Sequence, residues 1–129
     1  MLSSQKANIS IDQHNKEIFQ NHQIWQSKPI LQKIYDDLYR TILKQIASNI
    51  DGCIVELGSG IGSIKNVIPQ CICTDIFQNP WIDQVENVYS LSFRDNEVSN
   101  IVLFDVFHHL QYPGSALEEM LRVLCKKGR

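Results

Sequence analysis

The sequence predicts an α/β domain: a doubly wound parallel sheet of about four strands, preceded by N-terminal helices. Three observations carry that expectation. Short apolar runs at 53–57, 71–75, 85–89 and 100–105 lack polar alternation, as strands buried on both faces do. Helical patterns follow the first run at 61–68 and the last at 113–125, the strand–helix alternation of a parallel sheet. The first run also feeds directly into glycines at 58, 60 and 62, a sharp turn with its backbone laid bare. At 129 residues and 43% hydrophobic, the chain has enough apolar material for one real core.

Taken in order, residues 1–12 are rich in Ser, Gln and Asn and read as a loose arm. Residues 13–50 read as N-terminal helices and 51–129 as the sheet domain. A polar helix over 13–26 carries a narrow stripe of Ile18, Phe19, His22 and Trp25. Ser27-Lys28-Pro29 then supplies a capping serine and a proline suited to a first helical turn. The next helix, 29–48, repeats Ile30, Leu31, Ile34, Leu38, Ile42 and Ile46 at three- and four-residue spacing, an expected core-facing stripe. Asp51-Gly52 ends it, and Pro69 closes the helix at 61–68. In the final helix Leu117, Met120, Leu121 and Leu124 are expected to point inward.

A net charge of -2 and a pI near 6.0 give no basic footprint for nucleic acid. No apolar stretch reaches membrane-spanning length, and the first residues have no apolar leader core, so a cytoplasmic protein is expected. The four cysteines (Cys53, Cys71, Cys73, Cys125) lack metal-ligand spacing and read as free thiols, with no metal site expected.

The chemistry concentrates at the strand ends. Glu56-Leu57-Gly58-Ser59-Gly60-Ile61-Gly62 puts an acid two residues before the first glycine. A dinucleotide fingerprint needs glycine at the first, third and sixth positions of the turn, but Ser63 stands at the sixth. A nicotinamide-dependent oxidoreductase is therefore disfavoured. Glu56, beneath the turn, is placed either to meet a ligand ammonium or to pair with turn amides. Asp75 follows Gly58 by seventeen residues, close to the distance at which a carboxylate reaches a ribose. Asn87 and Asp105 close the third and fourth runs. His108 and His109 follow them, and His108 and Asp105 are the candidates for a base.

The pattern Glu-x-Gly-x-Gly-x-Gly resembles motif I of the class I S-adenosylmethionine-dependent methyltransferases, which are Rossmann-like. Thr74-Asp75-Ile76, Pro80-Trp81-Ile82-Asp83, Leu91-Ser92-Phe93-Arg94-Asp95 and Asp105-Val106-Phe107-His108-His109-Leu110 are similar, in order, to segments of their type 11 group. So is Arg122-Val123-Leu124 through Gly128-Arg129. The resemblance implies S-adenosylmethionine as cofactor and an unidentified methyl acceptor. It implies that Gly58, Ser59, Gly60 and Gly62 lie under the methionyl part, with Glu56 below, and that Asp75 takes the ribose. Ile76 and Val88 would sandwich the adenine, Asn87 would stand where the family has an aspartate for the adenine amino group, and Asp105 would face the methionyl end. Trp25, Tyr35 and Tyr39 would cover the acceptor side. Such enzymes have seven strands, and this chain supplies four. That implies either a fragment of a longer protein or a shortened domain, with the fourth strand an edge open to self-association. The alternative to an active methyltransferase is a catalytically inactive cofactor-binding or partner-binding remnant.

Overall fold

A computed structural model of the chain describes residues 11–104, 106 and 109–129. Two helices come first, α1 (Ile11–Ser27) and α2 (Pro29–Leu43). Strands β1 (Cys53–Leu57), β2 (Ile72–Asp75), β3 (Gln84–Val85) and β4 (Val98–Leu103) follow, and α3 (Pro113–Val123) closes the order. The four strands form one parallel sheet in the order β3-β2-β1-β4. From β1 the chain winds outward through β2 and β3, then crosses back to place β4 on the other side. The winding therefore reverses between β1 and β4, where Leu57 lies in register with Leu103. Open α/β sheets bind ligands outside the carboxyl ends of the strands at such a point.

Alternation along β1 sends successive side chains to opposite faces. Val55 and Leu57 join Val98, Ala116, Met120 and Val123 in the core under α3. Ile54 packs on the other face against a core of Tyr39, Ile64, Ile68, Cys73 and Val102. Glu56 shares that second face, so it points toward α2. A bulge at the β1–β4 pairing, where Cys53 faces Val98 but Ile54 faces Asn100, lets β4 change sides. Val98 then serves the α3 core, while Asn100 and Val102 serve the α2 face.

Asn100 uses that placement. Fully buried, it accepts a hydrogen bond from the Ala47 amide at 2.9 Å and donates to the Ala47 carbonyl at 3.2 Å. It thereby fastens the segment after α2 to the sheet. Asn100→Ala removes both bonds and leaves the partly buried Ala47 backbone groups without them, an expected loss of about 2 kcal/mol. In urea unfolding this appears as a lower midpoint at unchanged slope.

Several expected boundaries and faces are corrected. Helix α1 begins at Ile11, inside the stretch read as an arm, with Asp12 favourable in its first turn. Helix α2 stops at Leu43, and only a short 3-10 turn, Ser63–Asn66, replaces the helix expected at 61–68. Ile30, Ile34 and Leu38 are exposed; the inward side of α2 is the aromatic one, with Tyr39 buried and Tyr35 partly so. In α3, Leu117 and Leu121 face outward, Leu121 being 70% exposed, while small Ala116 lets the helix close on the sheet with Met120 and Val123. The third strand ends at Val85, because Asn87 forms a turn in which its side-chain oxygen accepts from the Tyr89 amide at 2.9 Å. The β4 edge is not bare along its first half. The Cys125 amide donates to Val98, and Arg129 both donates to Ser99 and accepts from the Ile101 amide.

Candidate functional site

The turn after β1 sits at the reversal point of the sheet. Gly58, Gly60 and Gly62 all have positive φ, at 73°, 57° and 69°. Its backbone is tied down from the neighbouring strand. The Ser59 amide donates to the Thr74 carbonyl at 2.7 Å, and the Thr74 amide to the Ser59 hydroxyl at 3.1 Å. Asp75, buried at the end of β2, accepts from the Gly60 amide at 3.0 Å and from its neighbour Ile76 at 2.8 Å. Asn79 donates to the Gly60 carbonyl at 3.2 Å, and Gly62 donates to Ser59 at 3.0 Å.

That wiring has a chemical consequence. With the amides of Ser59, Gly60 and Gly62 committed to protein acceptors, the turn does not present them as a cradle for a pyrophosphate. It offers a smooth backbone surface with a carboxylate underneath. Glu56 is 1% exposed; its Oε2 accepts from the Tyr39 hydroxyl at 2.7 Å, while Oε1 is buried without a hydrogen-bond partner. Burial pushes the Glu56 carboxyl up to about 7; the Ser59 and Tyr39 hydroxyls hold the rise in check, and Asp75 adds to it. An orphaned buried oxygen of this kind is satisfied by a proton or by a cationic donor.

Above the turn lies a cleft of about 180 Å³, walled by Trp25, Tyr35, Tyr39, Gly58, Ser59 and Phe104. It is smaller than the roughly 300–1,000 Å³ of complete small-molecule sites, a size for one end of a ligand. The aromatic wall is braced by ring-to-ring contacts. Tyr35 meets Trp25 and Phe104 edge-on at 5.5 Å each, and Tyr39 lies 5.4 Å from Phe104.

Of the residues singled out in the sequence, Glu56, Gly58, Ser59, Gly60, Gly62 and Asp75 are brought together here. Ile76 is half-buried just beyond Asp75, and Asn87 is exposed on its turn. Val88 is turned into the core with Leu91, Val106 and Leu110. Asp105 and His108 lie outside the described residues. Sequence reasoning missed the Tyr39–Glu56 bond and the grip of Asn79 on Gly60. It also missed Glu86, buried after β3, which accepts from the Ser92 amide at 2.8 Å and from Gln84 at 2.5 Å. The Asn-Pro turn signal after the second strand could have flagged Asn79; nothing local marks Tyr39.

The family model of a methyltransferase domain matches residues 55–129, more than half of the chain. The chain belongs to that methyltransferase domain family. No curated protein sequence matches it significantly. Among solved structures, the methyltransferase domain resembles a Methanococcus maripaludis protein provisionally assigned as S-adenosyl-L-methionine-dependent. The TM-score is 0.67 at 20% identity, over 88% of this chain and 60% of that one. A SAM-dependent methyltransferase of Thermotoga maritima gives 0.65 at 16% identity, over 87% and 57%. The methyltransferase CalH, solved with SAH, gives 0.54 at 16% identity, over 76% and 37%. At these identities the likeness is one of fold, and the chain spans at most three-fifths of the length of these structures. No helix among the described residues is long and apolar enough to cross a membrane.

Proposed function

We propose that this methyltransferase domain binds S-adenosylmethionine and serves methyl transfer to an acceptor not yet identified. The observation that carries the reading is the turn itself: a glycine backbone with committed amides above an orphaned carboxylate oxygen. It suits an ammonium-bearing methionyl group better than a pyrophosphate. When bound, the cofactor supplies a methyl group already activated by its sulfonium.

The work left to the chain is mostly positioning. Gly58, Ser59, Gly60 and Gly62 allow close approach, Glu56 Oε1 accepts from the ammonium, and Asp75 turns its remaining acceptor capacity to the ribose hydroxyls. Ile76 flanks the adenine and Asn87 takes its amino group, while Val88, turned into the core, leaves the other adenine face to be covered from elsewhere; an amide at 87 binds more weakly than a carboxylate would. Trp25, Tyr35 and Phe104 close the acceptor side against water. Asp105 is assigned to the methionyl end, and His108 or Asp105 to removing an acceptor proton where the chemistry needs it. The reading fits a cytoplasmic setting.

Calorimetric titration with S-adenosylhomocysteine tests it. Micromolar binding is expected, and Asp75→Ala, checked by circular dichroism to remain folded, should lose at least tenfold in affinity, the value of a hydrogen bond pair to a charged group. A folded wild-type chain that takes up none of the ligand sinks the assignment.

A further inference from the structure

Tyr39 belongs to α2, outside the span matched by the family model, so the family match assigns it nothing. Yet it reaches the floor of the glycine turn. Its side chain is 3% exposed, its ring is braced by Phe104 at 5.4 Å, and its hydroxyl donates to Glu56 Oε2 at 2.7 Å. It also lines the cleft beside Gly58, Ser59 and Gly60. A tyrosine hydroxyl has one proton to give, so it satisfies one carboxylate oxygen and leaves the other. Oε1 is the one left, buried and without a partner.

We propose that Tyr39 is a positioning residue of the ligand site, holding Glu56 by Oε2 so that Oε1 is reserved for a ligand ammonium. The proposal rests on reading the turn as an S-adenosylmethionine site, and it makes α2 part of that site. A lysine or arginine at position 39 would compete with the ligand for the carboxylate. A phenylalanine would leave only the Ser59 hydroxyl to favour the charged carboxylate and make it more costly to ionise.

Charge linkage supplies a signature that packing alone cannot mimic. Among the described residues, the titratable groups facing Glu56 are Tyr39 from α2, Asp75 and Cys73 from β2, and Cys71 just before that strand. None of these brings a positive charge, so a ligand cation favours the ionised form beyond what the Ser59 and Tyr39 hydroxyls supply. Affinity for a cationic ligand should climb as pH rises through about 7, where Glu56 loses its proton. Without the Tyr39 hydroxyl, Glu56 holds its proton to higher pH and the climb moves upward.

The experiment is calorimetric titration of wild type, Tyr39→Phe, Glu56→Gln and the double variant between pH 6 and 9. Two probes are used: S-adenosylhomocysteine, which bears the ammonium, and 5′-methylthioadenosine, which lacks it. At pH 7, Tyr39→Phe should weaken S-adenosylhomocysteine about tenfold, shift its pH profile upward and leave 5′-methylthioadenosine unchanged. In the Glu56→Gln background the Tyr39 change should have little further effect. Equal losses for both probes at every pH would show a packing role and overturn the proposal, as would an unshifted profile. Failure of wild type to bind either probe would bring down the cofactor reading as well, and with it this one.

Discussion

Glu56→Gln is expected to flatten the pH dependence of stability above pH 5 while costing the domain its hold on the ligand. The folded chain keeps a proton on Glu56 up to about pH 7, whereas an unfolded chain releases it near 4.5. Between those values the native state binds more protons, so stability falls as pH rises. The contribution is fully present below 4.5 and gone above 7, about 3 kcal/mol at 1.36 kcal/mol per unit. Thermal melts of wild type should therefore drop by roughly 10 °C between pH 5 and pH 8. Those of Glu56→Gln should hold level, and a parallel decline in both proteins would refute the assignment. The same substitution should weaken S-adenosylhomocysteine at least tenfold at pH 8, since an amide cannot answer an ammonium with charge.

Gly62→Ala should be the most damaging small change in the chain. A Cβ at that position would stand 2.5 Å from the Trp81 carbonyl oxygen, with φ at +69°. Left-handed backbone costs an alanine about 1–2 kcal/mol, and overpacking adds about 1–3. The loop cannot move aside freely, because the Trp81 amide is bonded to Asn79 at 2.8 Å and Asn79 in turn holds Gly60. The sum, roughly 2–5 kcal/mol, is a large share of a typical domain's stability. Gly114→Ala is the control: it has open space around it at the start of α3, and should be neutral or mildly stabilising. Urea titrations of the two variants side by side give the comparison directly.

The parts of the site legible in the sequence are those written in the backbone. Glycines at 58, 60 and 62 announce a turn that other residues cannot make, and apolar runs ending at Leu57 and Asp75 announce strand ends. Hence the sheet, its winding and the place of Glu56 beneath the turn could be anticipated, but not that its carboxylate pairs with Tyr39 rather than with the turn amides. Side-chain direction on helices was less accessible. In α2, Ile30-Ile34-Leu38 and Tyr35-Tyr39-Ile42 both satisfy helical spacing; which stripe turns inward depends on Glu56 needing a hydroxyl, a contact seventeen residues away. In α3 the choice of Ala116 over Leu117 depends on how near the helix can approach the sheet. Asn87 read as the end of a strand because Val85 and Val88 flank it, but its amide favours a turn, and Val88 consequently enters the core.

The central place of β1 bears on when the protein can become itself during synthesis. Its partner on one side, β2, begins nineteen residues later, but its partner on the other, β4, begins forty-five positions after Cys53. At roughly 5–20 residues per second, the ribosome needs roughly 2–9 seconds to deliver that second neighbour. Until then the strand bearing Glu56 has one flank unpaired, and Asn100, which ties the segment after α2 to the sheet, has not been made. The nascent chain must therefore wait with its most apolar strand half covered, and a slow stretch of translation between 58 and 98 would lengthen its exposure to aggregation and to chaperones.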